Sequence, residues 1–310
     1  MRIVISEFMD EQAVSLLARH FDVRYDPSLV ERPADLENAL ASANALIVRN
    51  RTKVTAALIS GAPSLAVVGR LGVGLDNIDV GACAARDIKV IPAAGANAQA
   101  VAEYVIAAAL ILLRGAYGST QTVANGNWPR TLLSEGRELT GKTLALIGFG
   151  GIGRLTGRHA RALDLRVIAY DANIAPDATL WRQENTTPVA IDRALAEADI
   201  VSLHVPLDAS TRNLIDARRL SMMKRDAILI NTSRGGIVDE AAVAASLRAN
   251  KLGGAALDVF EHEPLAESSP LADCPRLLLT PHIAGITRES NVRVSMMIAE
   301  KVAAALATRA

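Results

Sequence analysis

The sequence predicts an α/β chain of two doubly wound parallel-sheet domains. Three observations carry this expectation: short β-branched runs alternate with Ala/Leu-rich stretches of helical period, the runs fall into two series, and no internal repeat or low-complexity tract interrupts them. A chain of 310 residues, half of them apolar, can bury two cores of ordinary size.

The first series places strands at Arg2 to Ser6, Val23 to Tyr25, Ala45 to Val48, Ala66 to Val68 and Lys89 to Ile91, a small α/β domain. Its opening run, Met1 to Ser6, meets Glu7 and Asp10 too soon for the apolar core of a signal peptide, so it reads as a strand. The most hydrophobic segment, Tyr104 to Leu113, stops at Arg114, short of the roughly 20 residues of a membrane span. A buried helix from about Ala98 is expected instead. From Gly115 to Leu139 the chain is polar and Gly-containing, with Trp128-Pro129 inside it, and suits a connector or a dimer arm.

The second series places strands at Thr143 to Ile147, Arg166 to Tyr170, Ile200 to His204, Ala227 to Ile230, Ala255 to Leu257 and Leu277 to Leu279. Six strands match a dinucleotide-binding sheet. Arg288 to Ala307 then reads as a final helix, with Val292, Val294, Met297, Ile298 and Val302 set among charges.

Lys plus Arg and Asp plus Glu balance at 33 each, so no overall field holds nucleic acid or an anionic membrane, and only a local basic pocket is left open. Cys83 and Cys274 are too few for a disulfide framework and have no metal-like spacing, which fits a reducing cytoplasm.

The strand Leu144-Ala145-Leu146-Ile147 runs into Gly148-Phe149-Gly150-Gly151-Ile152-Gly153 and then a helix opening Arg154-Leu155. A lone G-x-G-x-x-G says little, but here Asp171 also ends the next strand at about the expected 20 residues. Gly148 permits the tight turn, Gly150 lets backbone N–H groups approach a pyrophosphate, and Gly153 lets helix and strand pack closely. Asp171 accepts from the ribose hydroxyls and repels a 2′-phosphate, and Ala172-Asn173-Ile174 supply no Arg for that phosphate, so NAD is the expected cofactor.

Three segments at the ends of later strands carry groups suited to hydride transfer: Asn231-Thr232-Ser233-Arg234-Gly235-Gly236, Leu257 to Pro264, and Thr280-Pro281-His282-Ile283-Ala284-Gly285. They share the carboxyl edge of one sheet, where ligands bind in such folds.

Together with Gly69 to Asp79 and the glycine fingerprint, these blocks make the chain closely similar, over essentially its whole length, to the D-isomer-specific 2-hydroxyacid dehydrogenases, especially their 3-phosphoglycerate dehydrogenase-like branch. The resemblance implies a Rossmann NAD-binding domain at 97-284, with a dimerisation arm near 115-139. It also implies a discontinuous flavodoxin-like substrate domain from 1-96 plus 285-310, a cleft between the two, and a homodimer. Arg234 is then the residue that grips the α-carboxylate and C2 oxygen, a task for a guanidinium fork. His282 exchanges the hydroxyl proton, and Glu263 holds its imidazole and favours the protonated form. Asp258 falls where the family binds the nicotinamide carboxamide, and His204-Val205-Pro206 where it walls the adenine. Thr232, His282 and Gly285 join the cofactor contacts, and the N–H groups of Val73 and Gly74 complete the carboxylate site.

His20 and His159 are expected to be structural, and His262 takes a structural or rim role beside Glu263. No H-E-x-x-H or equivalent spacing supports a metal among Glu261, His262, Glu263 and His282.

Arg49-Asn50-Arg51-Thr52 ends a strand of the small domain, with two cations on one side if the strand alternates. A solvated loop is the competing account. In the resembled phosphoglycerate dehydrogenases an Arg-x-Arg-Thr run at this place faces the substrate's far end, so Arg49 and Arg51 point to a second anion there. 3-Phosphoglycerate and 3-sulfolactate rank first, ahead of glyoxylate, hydroxypyruvate and D-lactate-like acids. The chain ends soon after the last helix, so no serine-responsive regulatory domain is expected, which adds weight to a catabolic role. An NAD-sensing transcriptional corepressor is the rival from another class, disfavoured by neutral charge and the want of a basic tail. Formate or phosphite oxidation is a further rival, whose added insertions are not found.

Overall fold

The computed structural model describes residues 1–309, and the chain divides into two compact units: Met1–Asn97 with the chain from Ile286 onward, and Ala98–Gly285.

In the first unit, β1 (Arg2–Ile5), β2 (Asp22–Tyr25), β3 (Ala45–Val48), β4 (Val67–Arg70) and β5 (Lys89–Pro92) form a parallel sheet in the order β2-β1-β3-β4-β5. Successive side chains leave opposite faces of a strand. Ile3 and Ile5 accordingly pack with Ile298 and Val302 of the helix Arg288–Ala307, while Val4 packs with Leu36, Leu40 and Ile59 on the other face. The long helix starts at a capping box between Thr287 and Ser290. Gly69 lets it approach, because a Cβ there would lie 2.8 Å from both Ile298 and Val302.

In the second unit, β6 (Thr143–Ile147), β7 (Arg166–Tyr170), β8 (Thr187–Pro188), β9 (Ile200–Leu203), β10 (Ile228–Asn231), β11 (Gly254–Leu257) and β12 (Leu277–Leu279) form a parallel sheet in the order β12-β11-β10-β9-β6-β7-β8. The order reverses between β6 and β9, which creates a crevice at their carboxyl ends. Every residue of β6, β9, β10 and β11 is buried, as both covered faces of a parallel sheet require. Leu144 and Leu146 meet Val105, Ala109 and Leu113 of the helix Ala98–Arg114, and Ile147 and Leu203 meet Leu220, Val243 and Leu247 opposite.

All six strands expected in this series are present, with ends shifted by at most one residue. The seventh, β8, leaves no strand pattern in the sequence because it is two residues long and ends in Pro188, which only an edge position tolerates. The 115–139 stretch carries a 3₁₀ turn, Tyr117–Ser119, and two short helices, Thr120–Ala124 and Arg130–Leu133. Among the described residues no single helix is long and apolar enough to cross a membrane.

Candidate active site

Gly148 leaves β6 at φ +97°, and its N–H donates to Tyr170 O at 2.7 Å. A Cβ on Gly148 would lie 2.7 Å from the His204 carbonyl, and one on Gly153 would lie 2.4 Å from Gly148 O, so backbone meets backbone at both positions. At Gly150 and Gly151 a Cβ would meet nothing within 4 Å. That open space lies before the helix Gly151–Ala162, whose N-cap Gly150 brings no capping side chain, and whose first turn includes half-buried Ile152. Free helix N–H donors beside open space fit a pyrophosphate.

Asp171 follows β7. Its Oδ2 accepts from Phe149 N at 2.7 Å and its Oδ1 from Asn173 N at 2.9 Å, which fixes the carboxylate and leaves each oxygen a lone pair for a ribose hydroxyl. Across the crevice, His204 follows β9, with Nε2 3.0 Å from Ser202 Oγ. Burial pushes its pKa down to about 4, so it is a neutral wall near pH 7, continued by half-buried Val205 and exposed Pro206. Among the described residues the buried Thr232 hydroxyl has no partner, an orphan of the kind a bound cofactor satisfies. These residues fit NAD.

The catalytic candidates Arg234, Glu263 and His282 follow β10, β11 and β12 in turn. The loop bearing Arg234 is pinned by its own side chains. Asn231 accepts from Ser233 N at 3.0 Å and donates to Arg234 O at 2.9 Å, and the Ser233 hydroxyl donates to Leu203 O at 2.6 Å. Arg234 Nη1 donates to Ser233 O at 2.6 Å.

His282 Nδ1 stands 2.8 Å from Glu263 Oε2, and Glu263 Oε1 accepts from Phe260 N at 3.1 Å. The imidazole is therefore oriented by a carboxylate that is itself held. His282 has φ +55°, a left-handed conformation costly for a side chain and kept only where the surroundings impose it. Its N–H donates to Asp258 O at 2.8 Å and Thr280 O at 3.0 Å.

Asp258 is 1% exposed, and its carboxylate holds the histidine loop. It accepts from Thr280 Oγ1 at 2.6 Å, Ile283 N at 2.8 Å and Ala284 N at 2.8 Å, and Tyr104 OH lies 2.6 Å from Thr280 Oγ1. Half-buried Gly285 closes the same loop. His262 is apart from the His282 pair and lines a cavity of about 460 Å³ with Asp239, Glu240 and Glu261. Among the described residues no group of three His, Cys, Asp or Glu side chains could hold a metal.

In the first unit, β3 ends at Val48, so Arg49 and Arg51 sit on a loop and strand alternation does not govern them. Arg49 Nη2 donates to Asn291 Oδ1 at 2.8 Å and its guanidinium lies 5.9 Å from the Phe8 ring centre, while Arg51 pairs with Glu31 at 3.1 Å in the open. Exposed Val73 and half-buried Gly74 lie on the loop after β4.

Two contributors went unread in the sequence. Asp258 as the anchor of the histidine loop depends on contacts 22 to 26 residues away. Glu7 depends on contacts 42 to 45 residues away, and the only local signal was a lone carboxylate just past a buried strand.

Residues 106–284 match the family model described as D-isomer specific 2-hydroxyacid dehydrogenase, NAD binding domain. The chain is 51% identical to an (S)-sulfolactate dehydrogenase of Chromohalobacter salexigens, across 99% of both proteins. It is 36% identical to a D-3-phosphoglycerate dehydrogenase of Archaeoglobus fulgidus, covering 97% of this chain and 56% of that protein. A crystal structure of a glyoxylate reductase from Paecilomyes thermophila superposes with a TM-score of 0.87 at 28% identity, over 99% of this chain and 95% of that one.

Proposed function

Because the chain belongs to the D-isomer specific 2-hydroxyacid dehydrogenase family, NAD-dependent enzymes acting on CH–OH donors, we propose that its substrate is (S)-3-sulfolactate, oxidised at C2 to 3-sulfopyruvate. The observation that carries the substrate is the 51% identity, end to end, with an (S)-sulfolactate dehydrogenase. The stereochemistry agrees with the family. Sulfur raises the C3 branch above the carboxylate in priority, so (S)-sulfolactate has the spatial arrangement of D-lactate.

Bound NAD supplies the hydride acceptor. Arg234 holds the α-carboxylate and the C2 oxygen. With Nδ1–H directed to Glu263, neutral His282 keeps a lone pair on Nε2, which takes the hydroxyl proton as the C2–H bond breaks and the carbonyl forms. The resulting imidazolium is stabilised by Glu263 and passes its proton to solvent. Arg49 and Arg51 take the sulfonate. The same two cations suit 3-phosphoglycerate, which is the second reading.

The reading includes a homodimer through 115–139, supported by Tyr117, Trp128 and Leu132, which are 62%, 76% and 79% exposed on this stretch. It places the enzyme in the cytoplasm, a choice supported by two free cysteines, Cys83 and Cys274. The test is an NADH-absorbance panel of both sulfolactate enantiomers, 3-phosphoglycerate, D-glycerate and D-lactate. The largest kcat/KM is expected with (S)-sulfolactate, and a preference for a singly anionic acid overturns the reading.

A further inference from the structure

Glu7 takes no part in the chemistry above, yet the loop carrying Arg49 and Arg51 is wrapped around it. The residue follows β1, whose neighbour in the sheet is β3, so its carboxylate lies under the loop that leaves β3. Four consecutive backbone N–H groups converge on it. Oε1 accepts from Arg49 N at 2.8 Å and Thr52 N at 2.9 Å, and Oε2 from Arg51 N at 3.0 Å and Asn50 N at 3.3 Å. The side chain is almost wholly buried, at 4% exposure.

Only a carboxylate answers all four donors. It has two acceptor oxygens and no N–H, whereas a glutamine would turn an amide group against two of them. Further contacts lock the same segment: the Ser6 and Thr52 hydroxyls lie 2.9 Å apart, and Asn77 Nδ2 donates to Thr52 O at 2.7 Å and Arg49 O at 3.3 Å. With the N–H groups turned inward, Asn50 and Arg51 stand exposed outside the loop.

The two guanidinium groups are left in different conditions. Arg49 is half-buried and held by Asn291 and Phe8, and burial pushes its pKa down while the nearby Glu7 charge pushes it up, so Glu7 helps keep it a cation. The Arg51 side chain has, among the described residues, a solvent-exposed pair with Glu31, a contact of little worth that a better anion can displace.

We propose that Glu7 is a positioning residue for specificity: its buried carboxylate sets the 49–52 backbone so that Arg49 and Arg51 present a prearranged site for the second anion on C3 of the substrate. This rests on the assignment of those arginines to the sulfonate. It extends it by naming the group that builds the loop, and it separates a fixed cation from a movable one.

The test compares wild type, Arg51→Ala, Glu7→Gln and Glu7→Asp at saturating NAD, with kcat and KM measured for (S)-3-sulfolactate and D-glycerate. Arg51→Ala is expected to lower the sulfolactate-to-glycerate ratio of kcat/KM roughly tenfold or more, as for loss of a charge-assisted contact, with most of the change in KM. Glu7→Gln is expected to lower the same ratio to a similar extent, again through KM. Glu7→Asp keeps the charge but cannot reach all four donors, and should fall between. If Glu7→Gln does not fold, Glu7→Asp alone decides, since a selective rise in the sulfolactate KM supports the proposal. An unchanged ratio in Arg51→Ala overturns the anion-site assignment and this inference with it. A selective Arg51→Ala beside Glu7 variants whose ratio is unaltered, whether or not both substrates slow, overturns only the role of Glu7.

Discussion

Gly235 and Phe260 touch through their backbones: a Cβ added to Gly235 would lie 1.8 Å from the Phe260 carbonyl oxygen. This contact joins the loop of Arg234 to the loop of Glu263, and through Glu263 to His282. Gly235→Ala must therefore part the two loops. We expect it to destabilise the protein by about 1–3 kcal/mol, as overpacking does, and to lower kcat/KM further than the melting temperature alone would suggest. Melting curves and initial rates check this, and a variant matching wild type in both would remove the contact from the account.

In the proposed mechanism His282→Ala removes the proton acceptor, and it leaves the glycine loop and Asp171 untouched. The expected loss in kcat is about 10²–10⁴-fold, with the Kd for NAD changed by little. Fluorescence titration beside steady-state kinetics separates the two effects, and near-normal turnover would refute the role. Glu263→Gln keeps the shape but not the charge, so it should lie between the alanine variant and wild type.

Much of this site was legible from local patterns. The glycine run with Asp171, the Arg234 loop and the His282 loop each declare themselves within a few residues, because a tight turn, a helix N-terminus or a strand end is a local demand. Gly235 was visible only as a letter in a motif, since its reason is a carbonyl 25 residues on. The carboxylate of Glu7 and the hold of Asp258 on the histidine loop leave no local signal for the same cause: their partners are distant in sequence and adjacent only after the sheets form. Periodicity likewise suggested that Arg49 and Arg51 share a strand face, but β3 stops at Val48.

Asp171→Ala tests the cofactor preference. Removing the carboxylate we assign to the ribose hydroxyls should weaken kcat/KM with NAD by roughly tenfold, and should narrow the gap to NADP by removing repulsion of the 2′-phosphate. Rates with both cofactors at fixed substrate give the ratio, and an unchanged ratio contradicts the assignment.

Glu7 also makes a pH prediction. Burial pushes its pKa up, but the N–H groups of Thr52, Arg49 and Arg51, with the Thr52 hydroxyl, outweigh this and hold it below the ordinary glutamate value. A carboxyl more acidic in the fold than in the unfolded chain stabilises fully above the unfolded value of roughly 4.3 and loses that contribution as pH falls through the folded pKa. Wild type should therefore lose stability more steeply than Glu7→Gln below about pH 4.3. Parallel acid limbs in denaturation curves would contradict the assignment.

The most direct measurement follows the C2 hydrogen. With (S)-3-sulfolactate deuterated at C2 and NAD, mass spectrometry should find the deuterium in the NADH formed, with none transferred from the (R) enantiomer. Label released to water, or NADH formed from the (R) acid at a comparable rate, would contradict hydride transfer at a D-specific site built from Arg234, Glu263 and His282.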